Sequence, residues 1–176
     1  MSWIEDTAKA KTWGTGNFFT AGRGTLILQD VKVFRGFKDP ETFAADFCVK
    51  ESIGPEANAV GSTVSYICQL NKQESGKSNM KALILEILKT AGPESGTLSD
   101  EQLAGEIREL LRIAEKGPMA NYTDPSLGAC PARGVEIAYE TRNKTSRKGV
   151  DMVLPTFRAK VTTADMLKAN RKLLGD

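Results

Sequence analysis

The chain has 176 residues, of which 40% are hydrophobic and 26% are charged. This length suits one domain, or one domain with an appendage, and the composition is typical of a globular protein. The sequence contains no histidine, the side chain that most often serves as a general base or a metal ligand near neutral pH. Catalytic triads that use histidine and histidine-bearing zinc sites are therefore excluded. We expect a binding or assembly protein with no catalytic residues, cofactor or metal, although enzymes that use carboxylates, lysine or a phosphate-binding loop stay open.

The overall charge gives no sign of a ligand. The 24 Lys and Arg residues against 22 Asp and Glu residues give a net charge of +2, so any basic surface for nucleic acid must be local. The three cysteines include no CxxC pair and match neither a disulfide framework nor a zinc signature. The sequence shows no secretion signal and no apolar run as long as a membrane span. We expect a cytoplasmic protein with no membrane partner.

Five runs of residues have the alternation or the composition of β-strands. Residues 1–24 before them are irregular and are predicted to form an arm. The first run changes its alternation at Gln29 and Asp30, as a bulge or bend requires. The other runs are bounded by turn residues. The predicted strands span 25–34, 43–53, 62–70, 134–141 and 150–157.

Between the third and fourth strands the apolar residues recur with the 3.6-residue period of a helix. The first helix is predicted to begin with Ser78 as its N-cap. The second is predicted to begin with a capping box formed by Ser99 and Gln102, and to continue to Gly117. A last amphipathic helix is predicted from Thr163 to Leu174.

The order of these elements predicts the fold. Three strands, a helical insertion at about 78–117 and two further strands are the element order of the OB-fold, a five-stranded, partly open Greek-key barrel. The predicted class is mainly β with helices (α+β), as an OB-fold-like five-stranded antiparallel barrel. The predicted organisation is an arm at 1–24, the OB-fold-like domain at 25–160 and a C-terminal helix at 161–176. An antiparallel α+β sandwich with the same order is the alternative.

Two predicted loops combine features that suit single-stranded nucleic acid. The loop between the last two strands holds four cations with no intervening acid, and the loop between the first two interleaves aromatic and basic residues. In an OB-fold these loops flank the oligonucleotide groove. Aromatic faces stack on bases while Lys and Arg neutralise phosphates, although a basic hairpin tip is also typical of a solvated turn. The candidate contacts in these loops are Arg35, Phe37, Lys38, Arg142, Lys144, Arg147 and Lys148.

Further candidates lie outside these loops. Trp13 and Tyr139 are predicted to stack on bases. Lys72, Lys77 and Arg158 are predicted to contact phosphates, Lys77 at the start of a helix, where anions bind without a special motif.

The segment Gly76-Lys77-Ser78 partly matches a phosphate-binding loop, because it follows a strand and opens a helix. Position 71 is Asn, where the full pattern requires Gly. The preceding strands alternate and are antiparallel in character, whereas nucleotide hydrolases need buried parallel strands. A nucleotide hydrolase is therefore disfavoured.

Several short segments carry a resemblance to a known group of proteins. They are Gly24–Leu28, Val49–Ser52, Val60–Ser65, Ser78–Ala82 and Arg147–Gly149, and together they span most of residues 18–158. They resemble phage-encoded single-stranded DNA-binding proteins with an OB-fold. The resemblance implies sequence-tolerant binding of single strands in phage DNA replication or recombination. It does not extend to the acidic tail of bacterial single-strand binders, since this chain ends in Asn170–Asp176 with two cations.

We therefore expect a non-catalytic single-stranded DNA-binding protein that forms homo-oligomers or binds cooperatively, in the host cytoplasm if it is phage-encoded. The alternative belongs to another class. It is a structural or self-assembly protein of a phage or mobile element that uses the aromatic arm and the terminal helix and does not bind nucleic acid.

Overall fold

The computed structural model describes residues 18–35, 41–70, 74–91, 98–117 and 120–160. Within these ranges the chain belongs to the α+β class and is mainly β, with five strands, two α-helices and one short 3-10 helix. None of the described helices is both long and apolar enough to cross a lipid bilayer. The predicted C-terminal helix and residues 1–17 of the predicted arm lie outside the described residues. The elements are β1 (Arg23–Arg35), β2 (Glu41–Ile53), β3 (Thr63–Gln69), α1 (Glu74–Ala91), α2 (Asp100–Leu110), the 3-10 helix (Pro125–Leu127), β4 (Glu136–Thr145) and β5 (Asp151–Ala159).

All five predicted strands are confirmed, and they form one antiparallel sheet in the order β3-β2-β1-β4-β5. The central strand β1 pairs with β2 along its length, whereas β4 pairs only with Arg23–Ile27. The rest of that edge of β1 is covered by the loop before β4, because Val33 hydrogen-bonds to Thr123 and Leu28 to Val135. The described ladders leave β3 and β5 as the sheet edges. The sheet is therefore not closed into the predicted barrel.

The sheet is strongly bent. The register between β1 and β2 shifts at Gln29, which confirms the bulge predicted from the break in alternation, and a bulge bends the strand that carries it. On the inner side, Phe157 of β5 stacks on Phe47 of β2 with ring centroids 5.5 Å apart. Phe157 also meets Tyr66 of β3 edge-on at 5.0 Å. The sheet thus curves until a side chain of the last strand packs against the second and third strands.

The core lies between the concave side of this sheet and α1. The inward side chains follow the alternation read from the sequence, and α1 contributes the apolar stripe that its 3.6-residue period predicts. The helix contacts β3, β4 and β5. Side chains that are almost fully excluded from solvent include Leu26, Leu28, Phe43, Phe47, Val49, Val64, Leu83, Ile84, Ile87 and Ile137.

The start of α1 differs from the prediction. The helix begins at Glu74, so Ser78 lies inside it and is not its N-cap. Gly76 lies so close to the end of β3 that a Cβ built on it would be 1.9 Å from the carbonyl oxygen of Gln69. The glycine of the partial phosphate-loop motif is therefore required by backbone packing, and Lys77 is on the exposed side of the helix.

The start of α2 confirms the predicted capping box. The backbone N–H of Gln102 donates to the Ser99 hydroxyl at 3.2 Å, and the Ser99 N–H donates to the Gln102 side chain at 2.9 Å. The helix ends at Leu110 and does not continue to Gly117. The chain leaves the helical path because Arg112 adopts a left-handed conformation with φ of 53°.

The side chain of Arg112 joins α2 to the centre of the sheet. Its guanidinium is buried and donates to the Asp30 carboxylate at 2.6 Å, to the Val31 carbonyl at 2.7 Å and to the Gly128 carbonyl at 3.0 Å. A buried charge needs such a set of partners to offset its desolvation. This interaction holds the loop that covers the edge of β1.

The close approach at Gly76 can be tested with a matched pair of glycines. Gly76→Ala should lower the free energy of unfolding by about 1–3 kcal/mol, because the added methyl overlaps a backbone oxygen. Gly105 of α2 has open space around its Cβ position, so Gly105→Ala should raise the free energy of unfolding by about 0.5–1 kcal/mol. Urea unfolding measures the change in the free energy of unfolding for both variants, and the m-value should stay unchanged. Equal effects of the two substitutions would contradict the packing of α1 on β3.

Candidate nucleic-acid interface

A two-stranded ribbon projects from one end of the sheet. β1 stops pairing with β4 at Arg23, which is opposite Glu140. β4 and β5 remain paired beyond this point, over residues 142–154, which we call the ribbon. The Ser146 N–H closes its turn by donating to the Val150 carbonyl at 2.8 Å. At about 3.4 Å per residue, the paired part of the ribbon is about 13 Å long.

The ribbon changes the predicted placement of the basic residues. β4 was expected to end at Thr141, but it continues to Thr145 because its pairing with β5 does not stop where β1 stops. The four cations of the predicted loop therefore divide between a strand and a turn. Arg142 and Lys144 lie on β4, and Arg147 and Lys148 lie in the turn.

The four cations of the ribbon are exposed. None of them forms an ion pair or a side-chain hydrogen bond with another residue of the described ranges. Five other cations of the described ranges have carboxylate partners. These pairs are Lys32 with Asp46 at 3.1 Å, Lys89 with Glu86 at 3.0 Å, Arg112 with Asp30 at 2.6 Å, and Lys50 and Lys160 with Glu136. The ribbon is thus a part of the described surface where positive charge is not neutralised internally.

Strand alternation places some of these cations on one side of the sheet. Residues directly opposite each other on paired strands point to the same face. Arg142 lies opposite Leu154 and Lys144 lies opposite Met152, and further down this face Arg158 lies opposite Ala138, with Glu140 opposite Thr156 between them. We call this outer side of β4 and β5 the basic face. The structure therefore places Arg142, Lys144 and Arg158 on one face of the sheet, which the sequence did not reveal.

At its foot, the basic face carries a carboxylate shared by two lysines. Glu136 accepts hydrogen bonds from Lys50 and from Lys160, the latter at 3.2 Å. The hydrogen bond from Lys50, followed by that from Lys160, lowers the pKa of Glu136. The same bond to Glu136 raises the pKa of Lys50. A second carboxylate, that of Glu51, also acts on Lys50 and raises its pKa, so this end of the face holds two lysines and two carboxylates.

Tyr139 is placed where it cannot stack on a base. Its side chain is only 4% exposed, and its ring packs against Phe19 with centroids 5.5 Å apart. Burial raises the pKa of Tyr139. The residue faces the core because it lies opposite Gly24 and Phe157 on the inner side of the sheet. The predicted stacking role of Tyr139 is therefore not supported by its position.

An exposed aromatic residue that sequence reasoning did not select lies just before β1. Phe18 is 65% exposed, whereas its neighbour Phe19 is 7% exposed and belongs to the core. The side chain of Asn58 fixes this segment by donating to the Phe18 carbonyl and accepting from the Thr20 N–H, both at 3.0 Å. Two adjacent phenylalanines on an extended segment must point in opposite directions, but the sequence does not show which one is buried.

The segment that carries Phe18 reaches the base of the ribbon. The Gly22 carbonyl accepts a hydrogen bond from the Thr141 N–H at 2.9 Å. Residues 21–23 line an open cavity of about 340 Å³ together with Ile53, Asn143 and neighbouring residues. The exposed ring of Phe18 therefore belongs to a chain segment that lies directly beside the ribbon.

The remaining candidates are not part of this cluster. Arg35 lies at the opposite end of β1 from the ribbon, and its Nε donates to the Tyr122 hydroxyl at 3.1 Å. Lys77 lies on α1. Trp13, Phe37, Lys38 and Lys72 lie outside the described residues.

No protein-family model matches the sequence, and no curated protein matches it at a significant level. The functional assignment therefore depends on the residues of this chain and their arrangement. In the part of the chain that the structure describes, no three Cys, Asp or Glu side chains are grouped closely enough to hold a metal ion.

The opposite orientations of the two phenylalanines give a direct test. Phe19→Ala should lower the free energy of unfolding by about 3–5 kcal/mol, because it leaves a cavity against Tyr139 and Phe157. Phe18→Ala should change it by less than about 0.5 kcal/mol, as exposed substitutions do. Chemical unfolding of both variants measures the difference, and a larger loss for Phe18→Ala would show that the segment is placed incorrectly.

Proposed function

We propose that this protein binds single-stranded DNA without sequence preference and does not catalyse a reaction. The observation that carries the proposal is that the exposed cations Arg142 and Lys144, on the strand part of the ribbon, lack a carboxylate partner in the described ranges. Such cations are available to neutralise phosphates, which supplies most of the affinity in sequence-independent binding. The basic face adds Arg158 to this set.

The fold supports the proposal. β1 pairs with both β2 and β4, and a helix joins β3 to β4 and packs under the sheet. This strand order is the one expected for an OB-fold and supports the proposal, and Phe157 and Tyr66 are in contact at the place where β5 would approach β3 to close a barrel. In an OB-fold the loop between the fourth and fifth strands lies beside the oligonucleotide groove. Here that loop is the end of the ribbon.

Phe18 supplies a face for base stacking in this proposal. Stacking on an aromatic ring contributes about 1–3 kcal/mol per base and tolerates any sequence. In this proposal, a DNA single strand bound by Arg142 and Lys144 runs past the cavity at the base of the ribbon to the segment that carries Phe18. The exposed cations and the exposed aromatic ring thus belong to two parts of the chain that are joined at the base of the ribbon.

The cellular role that we propose follows from the resemblance to phage-encoded single-strand binders. In that role the protein acts in phage DNA replication or recombination in the host cytoplasm, as a homo-oligomer. A structural or self-assembly protein is the second candidate. It is favoured by three exposed apolar side chains near the turn between β2 and β3, namely Phe18, Ile53 and Val60.

The salt dependence of binding to a labelled dT oligonucleotide tests the basic face. Each phosphate contact to a single strand contributes about 0.7 to the slope of log affinity against log salt concentration. Replacing Arg142 and Lys144 together with Ala should therefore reduce the slope by about 1.4. Lys81 and Lys116 are exposed cations elsewhere, and their double Ala variant loses the same charge but should keep the slope. Absence of binding at low salt, or binding indifferent to salt, would leave self-assembly as the better candidate.

Phe18→Ala tests the contribution of base stacking to the binding affinity separately from the contribution of charge. It should weaken binding to dT by about 5- to 150-fold, the equivalent of one stacked base, without changing the salt slope. Phe18→Trp should retain the affinity because it keeps a π-face. Unchanged affinity of Phe18→Ala in fluorescence anisotropy would remove this ring from the site.

A further inference from the structure

We propose that the tip of the ribbon binds in a groove of double-stranded DNA, so that the preferred ligand is a junction between a duplex and a single strand. The tip consists of residues 146–152. The inference rests on the proposed function for the single-stranded part of the ligand and adds a second kind of contact. It assigns Arg147 and Lys148 to the duplex, and leaves Arg142, Lys144 and Arg158 to the single strand.

The dimensions of the ribbon fit a groove. The major groove of B-DNA is about 12 Å wide and about 8.5 Å deep, and it admits a two-stranded β-ribbon. The two backbones of the ribbon are about 4.8 Å apart. Its paired length beyond β1 is about 13 Å, which exceeds the depth of the groove. The tip therefore reaches the floor of the groove while the sheet stays outside the duplex.

The chemistry of the tip fits a duplex better than a single strand. Residues 146–152 include no aromatic side chain, so the tip lacks the stacking contact that single-strand binders use. It offers Arg147 and Lys148 for phosphates along the groove. It also holds two exposed apolar side chains, Val150 at 58% and Met152 at 38%, on either side of Asp151, whose carboxylate accepts a hydrogen bond from the Thr145 hydroxyl at 2.8 Å.

Exposed apolar side chains at the end of a basic ribbon have a physical use in a groove. In the major groove, apolar side chains contact the methyl groups of thymines. Val150 and Met152 are thus placed to contact the terminal base pairs of a duplex whose single-stranded extension lies on the basic face.

Three labelled ligands test the inference with the full-length protein, namely a dT oligonucleotide, a blunt duplex, and the same duplex carrying that dT oligonucleotide as a tail. The tailed duplex should bind more tightly than either part. Each phosphate contact to a duplex contributes about 0.9 to the salt slope. The slope for the tailed duplex should therefore exceed that for dT by about 1.8 if both tip cations engage.

Two variants test which residues of the tip make the contact to the duplex. The double variant Arg147→Ala with Lys148→Ala should lose the additional slope on the tailed duplex and keep the affinity and slope for dT. Met152→Ser should keep both slopes, and it should weaken binding to a tailed duplex with A·T pairs next to the junction more than to one with G·C pairs there. These residues are exposed, and urea unfolding should confirm unchanged stability.

The outcomes distinguish the two proposals. Equal affinity and slope for the tailed duplex and for dT would overturn the groove contact and leave single-strand binding intact. A loss of dT binding in the variant with Arg147→Ala and Lys148→Ala would also overturn it, because the tip would then belong to the single-strand site. Binding of the blunt duplex that depends on the tip, without any dT binding, would support the groove contact and overturn the proposed function.

Discussion

The fold depends on the fact that the central strand β1 pairs with β4 over only part of the length of either strand. β1 pairs with β2 over its whole length, but its other edge is shared between β4 and the loop that follows α2. The first part of β1 lies so close to β2 that a Cβ on Gly24 would be 1.9 Å from the Glu51 carbonyl oxygen. Because β1 begins at Arg23 and β4 continues past it, the end of β4 has β5 as its only strand partner in the described ladders. The ribbon is a direct result of this difference in strand length.

The near neutrality of the chain conceals an uneven distribution of charge. On the body of the sheet, carboxylates such as Glu136 and Asp46 lie within ion-pair distance of lysines. Exposed ion pairs contribute little to stability, so their main effect is on the electrostatic potential, which they cancel locally. On the ribbon the positive charges are not cancelled in this way. A small net charge therefore coexists with a basic projection that can attract a polyanion.

Local patterns predicted the elements well, and they failed where distant residues decide the outcome. Alternation located the five strands and the bulge at Gln29, and the spacing of Ser99 and Gln102 predicted a capping box that forms. The length of β4 depends on β5, which pairs with it across the turn, so the sequence of β4 alone did not reveal it. Similarly, Gly76 resembled part of a phosphate loop, but its environment is set by the end of β3.

The candidate site was predicted only in part for the same reason. A run of cations near a turn is visible in a sequence, and the structure places all four of them on an exposed ribbon. Whether an aromatic ring points inward or outward depends on the register of strands far apart in the chain. That register buries Tyr139 and exposes Phe18.

A two-stranded ribbon with unpaired backbone groups along its sides is a ready template for pairing with another chain. Proteins protect such edges with charged side chains, Lys above all, because like charges on two approaching copies repel each other. On this ribbon the exposed cations provide that protection. The cations that carry the proposed single-strand binding are thus also placed to oppose edge-to-edge pairing, and any change that neutralises them bears on both roles together.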